Sequence, residues 1–423
     1  MTTVGPLAAV IGIDWADAAH EISLQASGSD RIERVRLAQT PEAIAGWAAE
    51  LRARFAGQPV GIALETARGP LVHALLEYDH LVLYPVNPRS LQRFRETFAP
   101  SRAKDDPTDA DLLRELLAKH RDRLRPWVPD DEATRALRRL VATRRGLIDL
   151  RTQLVQQLTA TLKEYFPQVI GWLEADLGAP FACEFLLRWP TLPALQRARL
   201  KTLRQFYAAH HRRTAGLEPR LEEIAQAMPL THDPAIVEPC VQLVQALARQ
   251  LQTLAPSLEQ IERDIAARFT AHADAALFRS LPGSGAALAP RLLVAFGTDR
   301  ARFPHAADVQ QYAGIAPVVE RSGRSEWVHW RWAAPTFVRQ TFHEFAHRSI
   351  RWCPWAHAYY ALQRARGKSH HAALRALAFK WIRVIWRCWQ SRTPYDEARY
   401  VQSLRQRGSP LLAYLPSTEA KAA

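Results

Sequence analysis

The sequence predicts an α/β layer domain at the N-terminal end, then a long-helix middle region, then a mainly α C-terminal domain. Three observations carry that expectation. Short apolar runs at residues 7–14, 59–65 and 80–86 are separated by stretches of helical spacing, the pattern of central strands covered by helices. Two long stretches rich in Leu and Arg, 130–166 and 237–269, repeat apolar residues at i, i+3, i+4 and i+7. A third region opens at Leu281-Pro-Gly-Ser-Gly285 and carries its own apolar helices. We expect domains at 1–125, 126–275 and 276–400, with a tail at 401–423.

Leu7-Ala-Ala-Val-Ile-Gly-Ile-Asp14 reads as a buried strand ending in a carboxylate. Residues 21–26 and 31–37 alternate polar and apolar, which suits two half-exposed antiparallel strands joined by the turn Ser27-Gly-Ser-Asp30. Residues 41–55 have helical spacing, with Thr40 as N-cap. Residues 59–65 form a second apolar strand, and it too ends in a carboxylate, Glu65. A helix at 69–78 and a third apolar strand at 80–86, closed by Asn87-Pro88, complete the order.

Next comes Ser101-Arg-Ala-Lys-Asp-Asp-Pro-Thr-Asp-Ala-Asp111, in which Asp105, Asp106, Asp109 and Asp111 crowd together in a very basic protein. Pro107 suits the first turn of a helix. Asp106 would then be the N-cap, and Asp109 would lie one turn along on the same side. One reading is an acidic first turn that complements the helix dipole. The other joins this pair to Asp14 and Glu65, because ligands of open α/β sheets gather outside the strand ends. Four such carboxylates would suit Mg²⁺ or Mn²⁺, hard cations that take oxygen ligands. A metal pair roughly 4 Å apart can clamp both reacting oxygens of a phosphodiester.

The net charge is +14 and the sequence pI is near 10.0, which points to a polyanion, nucleic acid before an anionic membrane. The cysteines Cys183, Cys240, Cys353 and Cys388 are far apart and form no Cys-x-x-Cys pair. That argues against a zinc ribbon or a disulfide framework and for a reducing compartment. No signal peptide and no apolar span of membrane length is apparent, so a cytoplasmic protein without a membrane partner is expected.

The two long helical stretches would form an antiparallel pair, either as an internal core or as a dimer-forming coiled coil. The Gly-x-Gly turn ending at Gly285 can direct backbone N–H groups at a phosphate. Ser322-Gly323 sits between basic residues and on its own terms reads as a surface turn. An aromatic and basic block follows, with Trp327, Trp330, Trp332, Trp352, Trp355, Arg364, Arg366 and Lys368 among its residues. Such a block can stack on bases and meet phosphates, or its tryptophans can be core. His370 and His371 read as a solvated first turn of a packing helix.

The order β-β-β-α-β-α-β-α with Asp14, Glu65, Asp106 and Asp109 resembles the RuvC-like branch of the RNase H fold. Ile11-Gly-Ile-Asp14, Leu64-Glu65, Val86-Asn-Pro88 and Lys104-Asp-Asp-Pro-Thr-Asp-Ala110 resemble the DEDD transposases of bacterial insertion sequences. The resemblance covers roughly 1–125 and 276–396, with Pro-Gly-x-Gly285, Tyr312-Ala-Gly-Ile-Ala-Pro317 and Thr393-Pro-Tyr-Asp396 in the second part. Its Lys-x-Asp-x-x-Asp-Ala pattern favours Asp106 and Asp109 over Asp105 and Asp111, while Asp17 and Asp105 stay as substitutes. Where the family carries a Gly-Asn-Lys-like turn, this chain has Arg331-Trp-Ala-Ala-Pro335.

What the resemblance implies is a DNA transposase and recombinase. Asp14, Glu65, Asp106 and Asp109 would hold metal, and Ser322 would be the nucleophile, with Ser284 and Ser325 as nearby rivals. Arg321, Arg324, Arg339, Arg364, Arg366 and Lys368 would meet nucleic acid. Donor and target DNA would be recognised through a bridge RNA, by a dimer assembling to a tetramer, at the bacterial nucleoid. The alternatives are a structure-selective nuclease of the Holliday-junction type, using water as nucleophile, and a decayed transposase that only binds nucleic acid.

Overall fold

The computed structural model describes residues 5–98, 106–173, 176–210, 217–323, 325–329, 331 and 333–415; at 97, 98, 106, 107 and 326 it describes the backbone alone. The chain divides into two units, Met1–Pro129 and Asp130–Ala423.

The first unit holds β1 (Ala9–Asp14), β2 (Ala19–Ala26), β3 (Ile32–Ala38), α1 (Pro41–Arg54), β4 (Val60–Leu64), α2 (Pro70–Leu75), β5 (Leu81–Pro85), α3 (Pro88–Phe98) and α4 (Asp106–His120). The sheet order is β3-β2-β1-β4-β5. β2 runs antiparallel to both β1 and β3, whereas β1, β4 and β5 are parallel. This is the expected α/β layer arrangement.

Strand alternation sorts the sheet into two faces. Ile11, Ile13, Ile62 and Leu64 pack against Ile44, Trp47 and Leu51 of α1 and against Leu71 and Leu75 of α2. The opposite face, with Ala63 and Tyr84, packs against Leu113 and Leu117 of α4. β4 is buried along its whole length, as a strand covered on both faces must be. Thr40 caps α1 as expected, its Oγ1 accepting from the N–H of Ala43 at 3.2 Å.

The second unit opens with α5 (Glu132–Tyr165). Five shorter helices follow: α6 (Gln168–Trp172), α7 (Pro180–Arg188), α8 (Leu192–Gln196), α9 (Leu200–Ala209) and α10 (Leu217–Gln226). Then come α11 (Pro234–Ala271), α12 (Ala275–Arg279), α13 (Gly285–Phe296) and α14 (Ala306–Tyr312). The hairpin β6 (Val318–Ser322) and β7 (Ser325–His329) precedes α15 (Thr336–Trp352), α16 (Pro354–Ala365), α17 (His370–Ser391) and α18 (Glu397–Gln406).

α5 and α11 pair within the chain and run antiparallel. Leu137 and Val141, early in α5, share a core with Ile265 and Phe269, late in α11. Leu158 and Leu162, late in α5, share another with Val244 and Leu247, early in α11. Arg144 and Glu262 join the helices between those clusters, Nε to Oε1 at 2.8 Å. The first cluster continues into the C-terminal helices through Phe296, Phe342 and Trp381. Among the described residues, no helix is long and apolar enough to cross a membrane.

Candidate active site and nucleic-acid interface

Asp14 ends β1, and Glu65 follows directly on β4. The last paired residues of these parallel strands are Ile13 and Leu64. Both carboxylates therefore leave the sheet at the same end, on adjacent strands, and both are half-buried. Asp14 lies two residues beyond Gly12 and shares its face by alternation. That face belongs to α4. A Cβ on Gly12 would fall 1.9 Å from the carbonyl oxygen of Ala110 and 2.5 Å from the backbone nitrogen of Arg114. The helix can lie this close only because residue 12 has no side chain.

Asp109 precedes Ala110 on α4 and is buried. Its carboxylate is paired with the guanidinium of Arg95 on α3, and the buried Nε of that guanidinium has no hydrogen-bond partner among the described residues. Asp106 opens α4, but its side chain lies outside the described residues, and Asp105 lies wholly outside them. Asp17 is exposed in the loop after β1. Among the described residues, no three His, Cys, Asp or Glu side chains converge closely enough to share an ion. The donor chemistry still suits a hard cation, since Asp14, Glu65 and Asp109 offer only carboxylate oxygens.

Asp111 has a different task. Its carboxylate accepts from Ser23 Oγ on β2 and from Arg34 Nη2 on β3 at 2.7 Å. Arg114 Nε donates to the same Ser23 hydroxyl at 3.0 Å. Burial opposes ionisation of Asp111, but the hydrogen bonds from Arg34 and Ser23 and the charges of Arg34 and Arg114 outweigh it, and its pKa lies below the usual value. This carboxylate clasps α4 to the antiparallel side of the sheet. Neither the clasp nor Arg95 was legible in the sequence, because both join residues remote in the chain with no shared motif.

In the second unit, Ser322 stands at the end of β6, paired with Ser325 across the hairpin. Gly323, which follows Ser322, has φ +58°, the left-handed backbone that tight hairpins need. Arg324, Trp330 and Trp332 lie outside the described residues. Ser322, Gly323 and Ser325 are exposed, as are Val319, Trp327 and Val328 along the hairpin. Ser284, by contrast, is buried, and its Oγ donates to the carbonyls of Leu281 at 2.8 Å and Phe278 at 3.1 Å.

The basic residues divide in two. Arg321, Arg364, Arg366 and Lys368 are exposed. Arg339 is partly buried, and its Nη2 donates to the carbonyl of Arg331 at 2.9 Å, holding the loop before α15. The tryptophans divide as well. Trp355, Trp381 and Trp389 are fully buried, while Trp327 is 51% and Trp352 56% exposed.

Residues 11–167 match the model of the IS110-type DEDD family, described as a transposase. Residues 275–361 match a model described as the transposase IS116/IS110/IS902 family. Both matched segments are thus those of insertion-sequence transposases with a DEDD domain. The chain belongs to the IS110 family among them. It is similar to the mini-circle putative transposase for IS117 of Streptomyces coelicolor, 29% identical over 408 residues that cover 93% of this chain and 97% of the relative. It is also similar to the IS110 uncharacterized 43.6 kDa protein of the same organism, 29% identical over 70% of this chain and 73% of that one. The IS900 uncharacterized 42 kDa protein of Mycobacterium paratuberculosis is 26% identical over 92% of this chain and 97% of its own length.

Proposed function

We propose that this chain is a DNA transposase that cuts and rejoins strands for insertion-sequence mobility, with Asp14, Glu65, Asp106 and Asp109 as its carboxylate site and Ser322 as its nucleophile. The observation that carries the reading is the parallel register of β1 and β4, with α4 seated on Gly12: Asp14 and Glu65 leave one sheet at the same end, and the helix that bears Asp109 lies on the face that Asp14 shares with Gly12. The strand order β3-β2-β1-β4-β5, with β2 antiparallel to both β3 and β1 and with β4 and β5 parallel to β1, supports an RNase H-like, RuvC-like domain.

Mg²⁺ or Mn²⁺ bound there would supply charge for the developing oxyanion. The chain's own residues do the rest. Asp14 and Glu65 present oxygen donors from the rigid sheet. Asp109 is neutralised by Arg95, so Arg95 must share or release that carboxylate before it can serve as a donor. The Ser322 Oγ forms a bond to phosphorus, the bond to the sugar oxygen breaks, and the hydroxyl proton leaves with that sugar oxygen. The exposed hairpin lets Ser322 reach a strand. The phosphoserine link keeps the phosphodiester's energy, so the freed sugar hydroxyl of another strand can rejoin without an external energy source.

Donor and target DNA, a bridge RNA and a dimer that assembles to a tetramer, acting at the nucleoid in the cytoplasm, complete the proposal. The net charge of +14 supports a nucleic-acid partner. The test is to trap the covalent adduct on a nicked substrate. An adduct on Ser322 that forms only with all four carboxylates present supports the reading. Cleavage without any adduct gives the site to water and to the junction-nuclease alternative.

A further inference from the structure

A cavity of about 1180 Å³ opens in the second unit between the start of α13, one side of α15 and the first turn of α17. Its volume lies somewhat above the usual range of ligand sites, about 300–1000 Å³. Its walls carry Arg339, Arg348, His343, His347, His370 and His371. The one carboxylate among its lining residues, Glu344, is already paired with Arg291 and stands 3.7 Å from Arg145. The cavity thus holds surplus positive charge. Burial first, then the charges of Arg375, His371 and Arg339, push the His343 pKa down to about 4. Among the described residues, no three metal-binding side chains converge, so the histidines do not make a cation site.

Two further features give the ligand a shape. The N-terminus of α13 faces the cavity through Gly283, Ser284, Gly285 and Ala286. Ser284 does not cap that helix, because its hydroxyl turns back to the carbonyls of Phe278 and Leu281. The first N–H groups of a helix have no partner within it and favour an anion. At the rim, Trp352 is 56% exposed and lies against Gly283. A Cβ on Gly283, which has φ +79°, would lie 2.9 Å from its Cδ1, and the Arg351 guanidinium stands 5.7 Å from its ring. The exposed run Arg364, Arg366 and Lys368 leads along the chain directly into His370.

We propose that this cavity binds one nucleotide unit of a single-stranded nucleic acid, its phosphate at the start of α13 with His347 and Arg348 and its base stacked on Trp352. The proposal rests on the nucleic-acid reading above and adds a site to it. A paired base cannot offer its face to an indole, so the ligand is an unpaired nucleotide.

The full chain would be irradiated with a single-stranded DNA carrying 5-iodouracil at successive positions, and the adduct mapped by mass spectrometry. The expected adduct is on Trp352. The double variant His347→Gln, Arg348→Gln, exposed positions chosen so that the fold stays intact by circular dichroism, should bind the strand about tenfold more weakly. Its salt dependence should be shallower by roughly 0.7 in log–log slope for each phosphate that is no longer neutralised. Lys201→Gln, exposed on α9, is the control for simple charge. Equal losses in the control and the double variant, or adducts only at other residues while the strand still binds, overturn the pocket. If 5-iodouridine monophosphate labels Trp352 with the same half-saturation as the strand, the ligand is a free nucleotide and the proposal fails. If no strand binds to the unaltered protein at all, the nucleic-acid reading itself is wrong.

Discussion

Asp109 and Arg95 form an ion pair in which the carboxylate side chain is 3% exposed and the guanidinium side chain 15%. Removing one partner of a buried pair leaves an uncompensated charge, at a cost of about 3 kcal/mol or more. Arg95→Ala should therefore lower the melting temperature of the first unit markedly, and Arg95→Ala with Asp109→Asn should recover most of the loss. If Asp109 also serves as a metal donor, Mg²⁺ should raise the melting temperature of Arg95→Ala more than that of the unaltered protein. Equal shifts in the two would remove Asp109 from the metal site.

Two glycines of the first unit should respond in opposite directions. Gly12→Ala places a methyl 1.9 Å from a backbone oxygen, so α4 must move and carry Asp109 with it. The expected loss is about 3 kcal/mol, as for overpacking at its upper range, with strand cleavage abolished. Gly46 lies inside α1 with nothing within 4 Å of a built Cβ, and Gly46→Ala should stabilise by about 0.5–1 kcal/mol. Denaturant midpoints of the two variants check both signs.

The acid limb of stability should contain a contribution from Asp131, the N-cap of α5. Burial is the largest single effect and raises its pKa, but hydrogen bonds from Thr298 Oγ1 at 2.6 Å, from Thr134 N at 2.9 Å and from Thr134 Oγ1 at 2.8 Å, with the charge of His272, together outweigh it and bring it from 3.8 down to about 2. A depressed carboxylate stabilises above its unfolded pKa, and that stability is lost as pH falls from about 4 to about 2. Asp131 is largely exposed, so solvent screening reduces the contribution to about 1 kcal/mol. Asn keeps the cap geometry. Asp131→Asn should thus be less stable at pH 7 by about that amount, and the two curves should converge near pH 2.

The first unit was legible because its strands announce themselves: the runs ending in Asp14 and Glu65 are apolar throughout, and Thr40 marks the start of α1. The helix expected at 69–78 is shorter, Pro70–Leu75, since the chain must turn through Asp79 and His80 into β5. The two long helices were legible in period but not in partner, because the same apolar stripe serves an internal pair or a second copy. The tryptophans could not be sorted, since Trp352 and Trp355 share one sequence context and differ only in which side of the α15–α16 corner they occupy. His370 and His371 read as a solvated turn. His371 is exposed, but both line the cavity, and the His370 Nδ1 lies 2.7 Å from the Tyr360 hydroxyl, a contact between two helices that no spacing rule reveals.

Ser322 gives the last prediction. It pairs with Ser325 at the end of the β6–β7 hairpin, so two hydroxyls stand at the same tip and either could meet a strand. The burial of Ser284 and its two backbone acceptors argue against the other rival. Ser322→Ala should bind DNA with unchanged affinity while strand cleavage and rejoining fall by about 10⁴-fold or more, the scale on which loss of a nucleophile is felt. Ser325→Ala should keep the adduct and most of the rate. Gly323 has φ +58°, and a side chain there would be strained even though nothing crowds it; Gly323→Val should therefore slow adduct formation without weakening DNA binding. Mass spectrometry of the trapped adduct decides the assignment. A phosphoserine link at Ser325 in the unaltered protein, or full cleavage by Ser322→Ala, would show that the reacting hydroxyl is not at position 322.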